Sequence, residues 1–236
     1  MRRRELKQAV LAALGMADLS EVFAKLDHFN ERDLISPLFS ALCNPDETIR
    51  WHAVSAFGHV VPRLAQQDLE AARIVMRRFL WSLNDESGGI GWGAPEAMAE
   101  IVLHQEILAG EYLHMLVSYM QEDGPECFQD GNYIELPMLQ RGLLWGIGRL
   151  IPRYRRKIKE MGVVSSLEPY LFSPDGDVRG LAVRCLGLFD AVAPIRQAVQ
   201  LGNDGHQLRL YSDEGISTFS VADLVRQALD RGEERL

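Results

Sequence analysis

A chain of 236 residues, 47% hydrophobic and 25% charged, can bury a sizeable core without disulfides or a structural metal. Its formal net charge of −8 disfavours broad nucleic-acid binding, which depends on Lys and Arg neutralising phosphates. The three cysteines, Cys43, Cys127 and Cys185, stand far apart with no Cys-x-x-Cys or Cys/His spacing. They support neither a disulfide framework nor a zinc site, and they fit a reduced compartment.

In chain order, "MRRRELKQAVLAALGMADL" places three arginines before a short apolar run. Glu5, Lys7 and Gln8 interrupt that run and Asp18 and Glu21 follow it, which predicts an amphipathic first helix rather than a targeting segment. No stretch approaches the roughly 18 apolar residues that span a membrane, so a cytoplasmic location is expected. Residues 31–43 carry Leu34, Ile35, Leu38, Phe39 and Leu42 at helical spacing. Residues 68–83 do the same with Leu69, Ala72, Val75, Met76, Phe79 and Leu80. Strand-like alternation is confined to the last thirty or so residues. There "HQLRLYSDEGISTFSV" predicts a β-hairpin about a Ser-Asp-Glu-Gly turn. "SVADLVRQALD" then resumes a helix, with Ser220 and Asp223 as a capping box in which Asp replaces the usual Glu or Gln. Residues 193–236 are expected to cap the C-terminal end of the helical array.

Two segments repeat one another. "NPDETIRWHAVSAFGHV" begins at Asn44 and "SPDGDVRGLAVRCLGLF" at Ser173. In both, a polar cap candidate precedes Pro, acids, and Ile or Val with Arg. Ala follows that Arg by three residues and Gly by eight (Ala53 and Gly58, Ala182 and Gly187). Asn or Ser can cap, Pro fits the first turn, and acids suit the positive end of the helix dipole. The small residues are expected to let the preceding helix approach closely. "RGLLWGIGRLI" aligns Arg141 with Arg50 and Arg179, and "WGAPEAMAEIV" puts Trp92 in that place. The anchors are spaced by 42, 49 and 38 residues, the range of two-helix repeats.

These residues resemble the HEAT-repeat family, especially the bacterial HEAT-like repeats first described in phycobilisome lyases. The pattern D-x-x-V/I-R-x-x-A-x-x-A/C-F/L-G is met by Asp175, Val178, Arg179, Ala182, Cys185, Leu186 and Gly187. Asp46, Ile49, Arg50, Ala53, Ala56, Phe57 and Gly58 meet it equally. The resemblance covers about residues 20–192. It implies an all-α, right-handed α-α superhelix of about four helix pairs over residues 1–192, ending in the small hairpin and helix. It also implies that Arg50, Arg141 and Arg179 pair with acids of neighbouring repeats. The family includes scaffolds, lyases, hydroxylases and DNA glycosylases, so the fold leaves function open.

Several clusters carry possible chemistry. Gly88, Gly89, Gly91 and Gly93 follow a helix, match no phosphate-binding motif, and stand beside Asp85, Glu86 and Glu96, which repel anions. The stretch reads instead as a repeat turn enlarged by two residues. It is also a candidate wall of a polar pocket, with Asn84, Asp85, Glu86 and Glu96 at its mouth and Trp81 and Trp92 placed to stack a planar ligand. Glu111 with His114, and Glu100 with His104, share helical faces, but a metal site would need further ligands. Basic residues crowd 149–161, and a long acidic insertion occupies 121–135 with Cys127 inside it. Neither a nucleophile-and-base arrangement nor a cofactor or metal motif is found.

The reading that follows is a non-catalytic scaffold binding a protein partner through the groove lined by its second helices. Asn84, Asp85, Glu86, Trp92, Glu96, Trp145 and Arg149 are its candidate contacts. Glu96 and Trp145 each stand four beyond an anchor and are expected on one side. One alternative, implied by the resemblance, is a lyase or chaperone for a small planar, tetrapyrrole-type ligand. The other is a DNA-binding protein, which the acidic balance disfavours.

Overall fold

In the computed structural model, residues 2–84, 91–121 and 133–233 are described. They form two compact units, Met1–Leu113 and His114–Leu236. The first contains α1 (Arg3–Leu14), α2 (Leu19–Leu26), α3 (Glu31–Ala41), α4 (Glu47–Gln67), α5 (Leu69–Leu83) and α6 (Ala94–His104). The chain leaves it along α7 (Glu106–Ser118). The second contains α8 (Pro137–Glu160), α9 (Val163–Leu167), a 3-10 turn (Pro169–Phe172), α10 (Gly176–Leu188), α11 (Val192–Gln197) and a second 3-10 turn (Val199–Asn203). It ends in β1 (Gln207–Ser212), β2 (Gly215–Ser220) and α12 (Val221–Glu233).

Each unit is organised around one repeated second helix. In the first, α4 packs against α3, α5 and α6. Its inward residues Ala53, Ala56, Phe57, Val60, Val61 and Leu64 are buried. Phe57 meets Phe79 edge-on with centroids 4.9 Å apart and Phe39 at 5.1 Å. Burying one such ring contributes about 1.5–3 kcal/mol, so this cluster anchors the unit. In the second, α10 packs between α8 and α12, with Val178, Ala182, Cys185 and Leu186 buried.

The two matching segments close their helices in the same way. Asp46 caps α4, accepting from the amides of Thr48 at 2.8 Å and Ile49 at 3.2 Å. Asp175 caps α10, accepting from Val178 at 3.1 Å. Asn44 and Ser173 are therefore not the caps that the sequence pattern led us to expect. Each instead accepts from the amide of the capping Asp, at 2.9 and 3.2 Å, which sets the turn ahead of the helix. The Arg four residues beyond the cap folds back on that turn. Arg50 donates to the carbonyls of Asn44 and Pro45, and Arg179 to those of Ser173 and Pro174.

Gly58 and Gly187 do mark close helix approaches, but to the following second helix rather than the preceding one. A Cβ on Gly58 would lie 3.0 Å from Glu100 Cβ of α6, and one on Gly187 would lie 2.8 Å from Ala228 Cβ of α12. The hairpin is antiparallel, with Leu208 opposite Phe219 and Leu210 opposite Ser217. Leu208 and Leu210 face inward, and Leu208 seats against Gly180 of α10. The capping box of α12 is reciprocal: Ser220 N donates to Asp223 Oδ2 and Asp223 N to Ser220 Oγ, both at 3.0 Å.

Candidate functional site

In the first unit, Asn84, Trp92 and Glu96 flank the segment between α5 and α6. Asn84 closes α5, its amide donating to Leu80 O at 3.1 Å. Asp85 and Glu86, with Gly88 and Gly89, lie outside the described residues. Gly93 opens α6 in the left-handed region, with φ 69°, and Pro95 fits its first turn. The helix thus starts two residues after Trp92, whereas Arg50 and Arg179 are the fourth residues of their helices. Trp92 does not occupy the arginine anchor position. By the same offset, Glu96 is the third residue of α6 while Trp145 is the ninth of α8, so the two are not equivalent. Trp81 and Trp92 are 71% and 45% exposed.

Glu96 is the electrostatic anomaly of this unit. Its Oε2 is sealed from solvent and has no hydrogen-bond partner. Burial pushes its carboxyl up to about 7, against the opposing pull of its own backbone amide and the Arg50 charge. Such a group exchanges a proton near neutrality, and it sits beside the turn that carries Trp92.

In the second unit, Trp145 and Arg149 hold the hairpin rather than lining an open surface. Trp145 is 4% exposed, and its Nε1 donates to Tyr211 O at 3.0 Å. Arg149 pairs with Asp213 of the hairpin turn. Much of the basic run is likewise engaged. Arg155 Nη2 donates to Asp190 at 2.6 Å and to Phe189 O at 2.8 Å, and Arg153 lies over the Tyr154 ring.

The expected arginine ladder is present here. Arg141 pairs with Asp175 and Asp177, and Arg179 Nη2 lies 2.7 Å from Asp204 Oδ2. Among the described residues, no acid forms such a pair with Arg50.

The sequence reading passed over Arg184. It stands on α10, five residues beyond Arg179, where α4 carries Ser55. Its Nη1 is buried with no hydrogen-bond partner. Burial is the main cause that lowers its pKa, and the charges of Arg149 and Arg231 add to it, opposed by Cys185. The signal in the sequence was a cation among the apolar and small residues of "GLAVRCLGL".

Other candidates resolve into local packing. Glu100 is buried and lies 3.4 Å from His104 Nε2, while Arg73 Nε donates to Glu111 at 2.9 Å. Burial pushes the Cys185 thiol up to about 12, and its Sγ donates to Leu144 O at 3.2 Å, so it is inert. Cys127 and most of the acidic insertion lie outside the described residues. A cleft of about 380 Å³ lies between the two 3-10 turns, lined by Leu171, Phe172, Leu201 and the Arg179–Asp204 pair. No helix among the described residues is long and apolar enough to cross a membrane.

No family model matches the chain. An uncharacterized protein of Archaeoglobus fulgidus is 26% identical over 149 residues, covering 58% of this chain and 71% of that one. Among solved structures, an engineered protein superposes with a TM-score of 0.56 at 14% identity, over 98% of this chain and 92% of its own. A designed armadillo repeat protein in complex with the peptide (KR)4 superposes with a TM-score of 0.50 at 18% identity, over 97% and 99%. The fold is an armadillo-like helical repeat. The small antiparallel hairpin near the C-terminus is its one departure from an all-helical plan among the described residues.

Proposed function

We propose that this chain is a non-catalytic helical-repeat scaffold that binds a protein partner through its second helices and the turns leading into them. The observation that carries the reading is the exposure of Trp81 and Trp92 on either side of one repeat turn. Tryptophan is enriched among the residues that dominate protein–protein binding energy, because one rigid ring buries a large area at little entropic cost. Two indoles exposed on either side of a single turn, Trp81 mostly and Trp92 by about half, are suited to a partner's surface. Asn84 and Trp92, with the exposed Trp81, are its contacts in the first unit. A designed armadillo protein of similar fold holds a peptide, and the proposal extends that mode of use to this chain. The free thiols of Cys43 and Cys185 support a reducing, cytoplasmic setting.

The test is affinity capture from native lysate with the full chain as bait, beside a Trp81→Ala/Trp92→Ala double variant of matched thermal stability. The reading expects a partner that the wild type retains and the double variant loses by about tenfold or more. Equal recovery by both baits would refute it. Recovery of no partner, together with a turnover activity abolished by Glu96→Gln, would favour the small-ligand enzyme instead.

A further inference from the structure

On the second helices of the second unit, one guanidinium nitrogen is buried with no hydrogen-bond partner among the described residues. Arg184 of α10 reaches over Gly148 of α8, and a Cβ on Gly148 would collide with its Nη1. The glycine therefore makes the space that the cation fills. Within that space Nη1 is shut off from water and meets no acceptor. A buried donor without a partner retains its full desolvation cost, and more so when it is charged. Arg149 follows Gly148 directly on α8, and Arg231 lies on α12, which packs against α10. Both charges act unfavourably on Arg184, and although Asp213 pairs with Arg149, no acid among the described residues pairs with Arg184 itself.

Among the described residues, other arginines of the same unit are matched by acids. Arg141 has Asp175, Arg149 has Asp213, Arg155 has Asp190, Arg179 has Asp204 and Arg226 has Asp223. The Arg149 pair is informative, because Asp213 is an exposed carboxylate on a turn that docks beside this same face. It is an internal example of what the face accepts.

We infer that Arg184, flanked by Arg149 and Arg231, is the docking point for a carboxylate on an acidic segment of the partner protein. This deepens the scaffold reading and rests on it. A carboxylate matches the planar guanidinium fork with two parallel hydrogen bonds. Arg184 is mostly but not fully buried as a residue, so a small part of its side chain reaches solvent. Swinging outward to meet a carboxylate relieves both the unmet donor over Gly148 and the crowding of like charges. A nucleic-acid backbone fits less well. It needs a track of cations, and this chain carries a net charge of −8 with Asp213 beside the arginines.

The test is a fluorescence-anisotropy titration of the full chain with a labelled Glu-rich peptide, its Gln-substituted counterpart, and an oligothymidylate of equal charge. The Glu peptide is expected to bind at least about tenfold more tightly than either competitor. Arg184→Met should weaken it by about 30-fold or more, the usual consequence of truncating a buried charged partner. Arg156→Met removes a charge that is 93% exposed on the same α8 and should cost less than about twofold. Arg184→Met should also raise the thermal midpoint of the free protein, since it removes an unmatched buried cation. Arg184→Gln serves as a second variant with the same expected loss of binding. Failure of the wild type to bind the Glu peptide, or equal binding by Arg184→Met, overturns the inference. Tighter binding of the oligothymidylate overturns it in favour of phosphate recognition. If affinity capture still recovers a tryptophan-dependent partner in any of these cases, the scaffold reading stands without this one.

Discussion

Arg141 of α8 grips Asp175, the cap of α10, with its Nε 3.1 Å from both carboxylate oxygens and its Nη2 on one of them. One carboxylate therefore closes a helix and ties two repeats together. Asp175→Ala removes both functions and is expected to destabilise the chain by about 2 kcal/mol, against about 1 kcal/mol or less for Arg141→Ala. Burial pushes the Asp175 carboxyl up, but the Arg141 bond and the Val178 amide outweigh it and hold it below the ordinary range. A depressed folded-state value means that the stabilisation is present above the unfolded carboxylate pKa and is lost as pH falls through the folded one. Urea titrations should therefore show the wild-type advantage over Asp175→Ala narrowing on the acid side, and a constant gap would contradict the linkage.

At Gly187, α10 and α12 come so close that an added Cβ would lie 2.8 Å from Ala228 Cβ. Gly187→Val should cost about 1–3 kcal/mol by overpacking against Ala228. Gly202, where an added Cβ would meet no atom within 4 Å, provides the control. Gly202→Ala should change stability by less than about 0.5 kcal/mol. Chemical denaturation of the two variants measures both.

Glu96 makes the opposite prediction to Asp175. Its folded-state value of about 7 lies above that of an unfolded carboxylate, so the folded state holds the proton more tightly. Stability is then highest below the unfolded value, declines as pH rises toward 7, and levels off above it. The decline should amount to roughly 2–3 kcal/mol, and Glu96→Gln should flatten it. Melting curves recorded from pH 5 to pH 8 test this, and parallel wild-type and variant profiles would exclude the assignment.

Most of the helices, the repeat and the terminal hairpin were legible in the sequence because each rests on local periodicity or on residues with strong positional preferences. Ser220 and Asp223 announced their capping box within four residues of chain. Asn44 and Ser173 misled because Asn, Ser and Asp are all good caps, and only backbone conformation decides which of two polar residues closes the helix. Residue counting puts Trp92 inside the helix at the anchor position, five residues too far into the repeat, because it does not register that Gly93 in the left-handed region sets the helix start at Ala94. Arg184 stands out in the sequence only as a cation among apolar and small residues. Its significance is that α8, α10 and α12 bring no acid to it among the described residues, and that is a tertiary fact.

Partner binding through Trp92 is measured most directly by calorimetric titration of the purified partner into wild type and Trp92→Ala at equal thermal stability. The variant should bind about 30-fold or more weakly, as expected for loss of a central aromatic anchor. An affinity unchanged within about twofold would contradict the scaffold reading.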